Sequence, residues 1–206
     1  MPSLTMSFPP KEITEIVTEI AQILRSKNQT LAISEAACGG LISAYIVSVP
    51  GASDFYIGGK LLYSLKQRLK LSGWSQDEIA NYMGPSELVA RKLARTAKYE
   101  LGSTFVLSET GFAGPSTDLH LDEKEKELEK ELELKLKTDQ LQEQESGSGS
   151  GSGSVVGTVF IGFTGPNGDC STSKTTGSHD RAQNMSDFAK FALQFLLNQL
   201  KNENEN

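Results

Sequence analysis

The segment ISEAACGG, residues 33–40, combines residue types that could bind an anion or carry out nucleophilic chemistry. Its strand-like start passes at Gly39 and Gly40 into a helix-forming stretch, and ligands of α/β proteins commonly bind at such turns. Free backbone N–H groups at a helix start favour a phosphate or carboxylate. A helix start can also activate a thiol, so Cys38 is a candidate nucleophile. The alternative is a tight packing turn in which Cys38 is a small buried residue.

Other side chains at a distance could contribute to the same chemistry. Arg68 could hold a phosphate but could not act as a base, because a guanidinium stays protonated near neutrality. His179 could serve as the base for Cys38, and Arg181 could contact a ligand or another subunit. Tyr63 is a further candidate for ligand contact. The structural interpretations are a packing tyrosine for Tyr63, an exposed helix arginine for Arg68 and a surface cap for His179.

Most standard catalytic motifs are missing. A phosphate loop around Gly59 and Lys60 lacks both the first glycine and the Ser/Thr that the motif requires. The patterns GxGxxG, GxSxG and HExxH do not occur. Ser34 and Ser64 have no recognisable base, which favours strand or turn roles. With two histidines and two cysteines, the chain is expected to hold neither a metal site nor a cofactor.

Five blocks, in order, resemble the C-terminal domain family of the competence-damage protein CinA, which includes the PncC-type amidohydrolases of nicotinamide mononucleotide (NMN). The family patterns are TAES-x-TGG, PG-S followed by G-x-x-x-YS-x-x-x-K, TGIAGP, PVGTV and GDR. The matching positions here are ISEAACGG at 33–40, Pro50, Gly51, Gly59, Tyr63, Ser64, TGFAGP at 110–115, VVGTV at 155–159 and HDR at 179–181. The resemblance spans nearly the whole chain outside an insert at about 117–154 and implies the α/β fold of that family.

The departures from the family pattern fall on the residues that carry its chemistry. Enzymes of this family resemble Ser-Lys hydrolases acting on linear amides, in which a serine attacks the carboxamide carbon while a tyrosine and a lysine transfer protons. The serine falls on Ala36 and the lysine on Arg68, so only Tyr63 is retained. The threonine of TGG falls on Cys38, and the glycine of GDR falls on His179. Loss of the nucleophile together with its base implies a catalytically compromised relative, a pseudoenzyme.

Three hypotheses of function follow. The first is a protein that binds a nucleotide-like ligand such as NMN, or acts through a partner, without hydrolysis. The second is an active amidohydrolase on NMN or another small amide, with Cys38 as a relocated nucleophile. The third is an interaction protein that works through an acidic insert. The resemblance also implies a homo-oligomer. The candidate ligand-binding residues are Glu35, Cys38, Gly39, Gly40, Tyr63, Ser64, Arg68, Gly111, Ala113, Gly114, Asp180 and Arg181.

Hydrophobic periodicity predicts the elements that would position these residues. Apolar residues at spacings of three and four indicate helices, and short apolar or alternating runs indicate strands. The predicted helices are 11–26, 38–49, two short ones near Lys66 and Asp77, 86–101 and 181–200; the predicted strands are 30–34, 56–63, 104–108, and a hairpin of 155–163 with 170–176. This alternation predicts a three-layer α/β/α sandwich with a mixed sheet containing at least one antiparallel pair.

An insert at about 117–154 interrupts what is otherwise a single domain over residues 1–206. Residues 121–145 contain ten acidic residues and five lysines, a net charge of −5, which leaves −1 of the total −6 for the rest. A Ser/Gly alternation follows at 146–154 and is typical of a flexible tether. Leu128, Leu132 and Leu136 recur at spacings of four, so the insert is either a solvated loop expansion or a docking helix for a partner.

Composition excludes several broad classes of protein. A net charge of −6 and a pI near 5.1 disfavour nucleic acid as a partner. An apolar run of about 20 residues, which a membrane helix needs, does not occur, and the start lacks signal-peptide features. Two cysteines in a chain of this size fit a reducing compartment rather than a disulfide scaffold. These features predict a soluble, cytoplasmic protein.

Overall fold

The computed structural model describes residues 8–117 and 155–205. Helices and strands alternate along most of the chain. In chain order they are α1 (Lys11–Ser26), β1 (Leu31–Glu35), α2 (Leu41–Val47), a short 3₁₀ turn (Ala52–Asp54), β2 (Tyr56–Leu61), α3 (Leu65–Lys70), α4 (Gln76–Ala80), α5 (Glu87–Leu101), β3 (Phe105–Phe112), β4 (Thr158–Gly165), β5 (Gly168–Thr175) and α6 (Arg181–Glu205).

The five strands form one mixed sheet in the order β2-β1-β3-β4-β5. The first three strands are parallel, while β4 pairs antiparallel with both β3 and β5. Parallel strands end at the same edge of a sheet, so the carboxyl ends of β2, β1 and β3 lie side by side. The predicted mixed sheet, including the hairpin of β4 and β5, is confirmed.

Helices cover both faces of the sheet, which confirms the three-layer sandwich. Helices α1, α2 and α6 pack on one face against a large apolar cluster that includes Ile33 of β1 and Leu107 of β3. On the other face, the alanines of α5 pack against Ala32 and Val106. Helices α3 and α4 extend this second layer through a cluster of Leu69, Tyr82, Val89 and Leu93.

Local signals account for the helix bounds that the periodicity predicts well. In α1 the buried residues Ile13, Ile16, Val17, Ile20, Ala21 and Leu24 repeat at helical spacing. In α5 the Ser86 hydroxyl accepts a hydrogen bond from the Val89 N–H at 3.2 Å, a typical N-cap. The same helix ends at Gly102, whose φ of 68° is the left-handed conformation that glycine adopts readily.

Three elements differ from their predicted bounds near the candidate site. Strand β2 ends at Leu61 and not at Tyr63, so Tyr63 lies in the segment that follows the strand. Helix α2 begins at Leu41 rather than at Cys38, because Gly39 and Gly40 have φ values of 66° and 98° and belong to the preceding turn. Strand β3 continues past Ser108 to Phe112, because pairing with β4 extends the ladder. The TGFAGP block is therefore strand in its first half, and only its second half is a turn. Helix α6 also runs beyond its predicted end, to Glu205.

Residues 118–154 lie outside the described residues, so the predictions on the insert stay predictions. On either side of it, Phe112 of β3 pairs with Thr158 of β4, and the Gly157 N–H donates to the Phe112 carbonyl at 2.7 Å. Across 8–117 and 155–205, three or more His, Cys, Asp or Glu side chains nowhere converge as metal ligands. Within those same ranges, a helix long and apolar enough to cross a membrane does not occur.

Candidate functional site

The candidate site lies at the edge where β1, β2 and β3 end. Strand β1 is followed by residues 36–40, strand β2 by residues 62–64, and strand β3 by the turn of residues 113–115. The start of α6 reaches the same edge, because Arg181 contacts both Tyr63 and Gly114. The edge thus collects most of the residues that the family resemblance singles out.

Glu109 of β3 is a buried carboxylate beneath the loop that follows β1. Its side chain is 1% exposed, and Oε2 accepts hydrogen bonds from the N–H of Ala36 at 3.1 Å and of Cys38 at 2.9 Å. Oε1 has no hydrogen-bond partner among the described residues. Burial raises the pKa of the Glu109 carboxyl, while the two backbone hydrogen bonds act in the opposite direction. Sequence reasoning missed this residue; its only signal was one acidic residue inside the apolar strand FVLSETGF.

Glu35, at the end of β1, binds the first turn of α2. Oε1 accepts from the Ile42 N–H at 2.9 Å, and Oε2 accepts from the N–H and the hydroxyl of Ser43 at 3.1 and 3.0 Å. Glu35 and Glu109 together accept hydrogen bonds from four backbone N–H groups around the start of α2. The expectation that free N–H groups here favour an anion is therefore wrong for these four donors, because carboxylates of the chain itself already bind them.

Cys38 is fully buried and its thiol donates to the Met185 carbonyl at 3.7 Å. Burial raises the pKa of this thiol well above its ordinary value, and the charges of Glu109 and Glu35 raise it further. The thiol is therefore held in its protonated form, opposite to the activation expected at a helix start. His179, the candidate base, is exposed in the segment before α6.

Arg68 lies inside the protein and not on the surface of α3. Arg68 is 8% exposed, and its guanidinium donates to the Thr110 hydroxyl at 3.0 Å and to the Tyr82 hydroxyl at 3.4 Å. Within the described residues, its Nε–H has no acceptor. The alternative interpretation of Arg68 as an exposed helix arginine is wrong, because α3 packs this face against β3 and the segment before α5.

Tyr63 and Arg181 form the exposed part of the edge. The Arg181 guanidinium donates to the Tyr63 hydroxyl and to the Gly114 carbonyl, and its Cζ lies 6.0 Å from the Tyr63 ring centroid. Tyr63 is 63% exposed, so its ring is available to a ligand. Beneath this pair, the buried Asn184 donates to the Ala113 carbonyl at 3.0 Å and ties the turn after β3 to α6. Sequence reasoning did not single out Asn184.

The remaining candidate residues serve mainly to shape the edge. Asp180 caps α6, since its carboxylate accepts from the Gln183 N–H at 2.9 Å. Ser64 is exposed at the start of α3 and makes no side-chain capping bond there. Gly111 has no room for a side chain, because a Cβ would lie 2.4 Å from the Thr158 carbonyl oxygen. Gly114 needs its left-handed φ of 96° to turn the chain.

Comparison with known proteins identifies this architecture. A family model described as the CinA C-terminal domain matches residues 13–124 and 145–200, most of the chain. The chain belongs to the CinA C-terminal domain family. The family resemblance deduced from the five sequence blocks is thereby confirmed.

Curated relatives of this family match the chain over about half its length. A CinA-like protein of Picosynechococcus sp. is 37% identical over 99 residues, which are 48% of this chain and 24% of the relative. A CinA-like protein of Myxococcus xanthus is 36% identical over 96 residues, which are 47% of this chain and 23% of the relative. The matched stretch is thus about a quarter of each of these relatives.

Solved structures support the fold of the family over nearly the whole chain. The competence/damage inducible protein CihA from Agrobacterium tumefaciens has a TM-score of 0.70 at 21% identity, covering 94% of this chain and 99% of its own. A competence-damaged protein (CinA) superfamily protein from Enterobacter cloacae has a TM-score of 0.69 at 18% identity, covering 91% of this chain and 92% of its own. At these identities the similarity establishes the fold alone.

Proposed function

We propose that this CinA-family chain binds a small nucleotide-like ligand at the edge of β1, β2 and β3 and does not hydrolyse it. The observation that carries the proposal is the state of residue 36. Ala36 presents a methyl group where the family resemblance expects the nucleophilic serine, and its N–H is already bound by Glu109. Neither a nucleophilic atom nor a free donor remains at the position where covalent chemistry would start.

The exposed part of the edge supports binding of such a ligand. Tyr63 offers an aromatic ring on which a planar heterocycle could stack. Arg181 lies against that ring and carries a guanidinium suited to a phosphate or carboxylate. NMN combines a planar ring and a phosphate, so it is the first ligand to test.

The alternative of an active amidohydrolase through Cys38 is disfavoured by the surroundings of the thiol. A cysteine acts as a nucleophile in its thiolate form. Burial and the two neighbouring carboxylates raise the pKa of Cys38, and the thiol has no exposed surface through which to reach a substrate. This alternative therefore requires the loop to rearrange before any reaction.

Calorimetric titration with NMN, run beside an ammonia-release assay, tests the proposal. We expect binding without ammonia release. Arg181→Gln should weaken binding about 10- to 100-fold, because it removes a charge-assisted hydrogen bond to the phosphate. Arg95→Gln is the matched control, since Arg95 is an arginine of α5 whose partner is Asp169. Equal affinity of Arg181→Gln and wild type would reject this site, and ammonia release lost in Cys38→Ala would establish the amidohydrolase instead.

A further inference from the structure

The N–H groups of Ala36 and Cys38 converge on one oxygen atom. Both donate to Oε2 of Glu109, at 3.1 and 2.9 Å. Two backbone donors directed at a single point are the arrangement that stabilises a carbonyl oxygen developing negative charge, or a carboxylate oxygen. In this chain the oxygen at that point belongs to the protein itself.

We propose that the Glu109 carboxyl blocks the N–H groups of Ala36 and Cys38. It thereby keeps the carbonyl and anionic groups of ligands away from the loop of residues 36–38. A ligand oxygen cannot occupy the point where the donors converge while Oε2 is there. This inference rests on the proposed function and refines it, because it leaves Arg181 as the group that binds the anionic part of the ligand.

The position of Glu109 favours this arrangement over one in which the side chain points away from the loop. Glu109 lies inside β3, between β1 and β4, and pairs with Ile161 of β4. Its side chain is 1% exposed. Swinging the carboxylate out would leave both N–H groups unpaired in the interior, which is unfavourable for buried donors.

Hydrogen bonding to the two N–H groups does not by itself require a carboxylate at this position. Both hydrogen bonds end on Oε2, so the carbonyl oxygen of a glutamine could accept them without the penalty of a buried charge. The charged groups that affect the carboxylate are Glu35, which raises its pKa, and Arg68, which lowers it. The proposal therefore rests on the position of Oε2, which occupies both donors whatever the protonation state of the carboxyl.

Removing the side chain should convert the loop into an anion site. In ¹⁵N-labelled Glu109→Ala, sodium formate should shift the amide signals of Ala36 and Cys38 in a saturable way. The formate concentration at half-saturation should be at least roughly tenfold lower than any concentration that shifts these amide signals in the wild type. A tenfold difference corresponds to the free energy of about one charge-assisted hydrogen bond. Sodium chloride at equal ionic strength is the salt control, and Glu109→Gln, which keeps an acceptor oxygen, should show no response.

Two results would overturn the inference. Formate that moves both amide signals in the wild type would mean that Glu109 does not block the donors. A folded Glu109→Ala protein that does not respond would mean that the donors form no anion site. If Glu109→Ala does not fold, Glu109→Val gives the same measurement with a residue that favours strands. None of these readings depends on NMN binding or ammonia release, so failure of the proposed function is recognised separately.

Restoring the family's catalytic residues should not by itself restore hydrolysis. The paired substitution Ala36→Ser/Arg68→Lys reinstates the residues that the resemblance expects, but Glu109 would still occupy the donors. Ammonia release from NMN should therefore stay at background in this double variant. Release well above background with Glu109 retained would contradict the inference on independent grounds.

Discussion

At the scale of single residues, the site is defined by buried polar groups more than by exposed ones. Glu109 and Glu35 bind the backbone around the start of α2, and Arg68 binds two hydroxyls. The same carboxylates determine the state of Cys38, whose pKa they raise in addition to the effect of burial. Position 36 lacks a nucleophilic atom, and its N–H is bound by Glu109.

Glu109→Gln should change how stability depends on pH. The folded-state pKa of Glu109 is raised above its ordinary value of 4.5, so the stabilisation from its protonated form is complete below about pH 4.5. This stabilisation is lost as the pH rises through the folded-state pKa of Glu109, because the carboxyl ionises more readily in the unfolded chain than in the folded one. Urea unfolding between pH 4 and 8 should show Glu109→Gln gaining stability relative to the wild type as pH rises. A constant difference, or one that shrinks with pH, would contradict the buried charge.

Cys38 should be unreactive towards alkylating reagents in the native protein at neutral pH. The Cys170→Ser variant leaves Cys38 as the only thiol, and the Cys38→Ala variant leaves Cys170, which is partly exposed. We expect iodoacetamide to modify Cys170 faster than Cys38, and both to react fully in urea. Rapid modification of Cys38 without denaturant would revive the hypothesis of a relocated nucleophile.

At the scale of elements, α5 packs closely against β3 and β4, and this contact positions the strand that carries Glu109. Ser108 of β3 donates to the Ala90 carbonyl of α5 at 2.5 Å, and Gly162 of β4 lies beside this contact. A side chain at position 162 would separate the helix from the strands. Because β3 also carries Glu109 and Thr110, its position relative to α5 affects the loop contacts directly.

Gly162→Ala should therefore destabilise the protein by about 1–3 kcal/mol, as overpacking of a filled interior does. A Cβ there would lie 2.5 Å from the backbone of Ala90, which cannot move without shifting α5. Gly165→Ala in the same strand is the comparison, because its Cβ would meet the side chain of Phe105 at 3.0 Å, and a side chain can adjust. Equilibrium unfolding in urea measures the free energy of unfolding of both variants. Equal losses of stability would show that the contact of Gly162 with α5 costs no more than the contact of Gly165 with Phe105.

At the scale of the whole molecule, the described ranges form one sandwich although a long segment separates β3 from β4. The large apolar cluster draws residues from both ranges, including Val17 of α1, Leu107 of β3 and Phe188 of α6. The ends that flank the undescribed segment meet where Phe112 pairs with Thr158. The two described ranges therefore share one apolar core and one sheet.

Replacing residues 118–154 with a short Gly/Ser linker should leave the fold and NMN binding intact. The antiparallel pairing of β3 with β4 brings the two ends together, as a hairpin connection requires. Thermal unfolding and calorimetric titration of the shortened chain measure the two properties. Loss of NMN binding with an unchanged unfolding midpoint would place a ligand contact in the insert, and partners that bind both chains equally would reject the hypothesis of an interaction protein working through it.

The sequence by itself determined the elements and the family. Hydrophobic periodicity is a local property, so α1 and α5 could be located from their own residues, and the five blocks identified the CinA-like pattern with its substitutions at Ala36 and Arg68. Tertiary structure alone decided what surrounds those positions. Glu109 contacts Cys38 across 71 positions of the chain, and Arg181 contacts Tyr63 across 118. Such contacts depend on strand order and register, which bring distant side chains together and leave no periodic signal in the sequence.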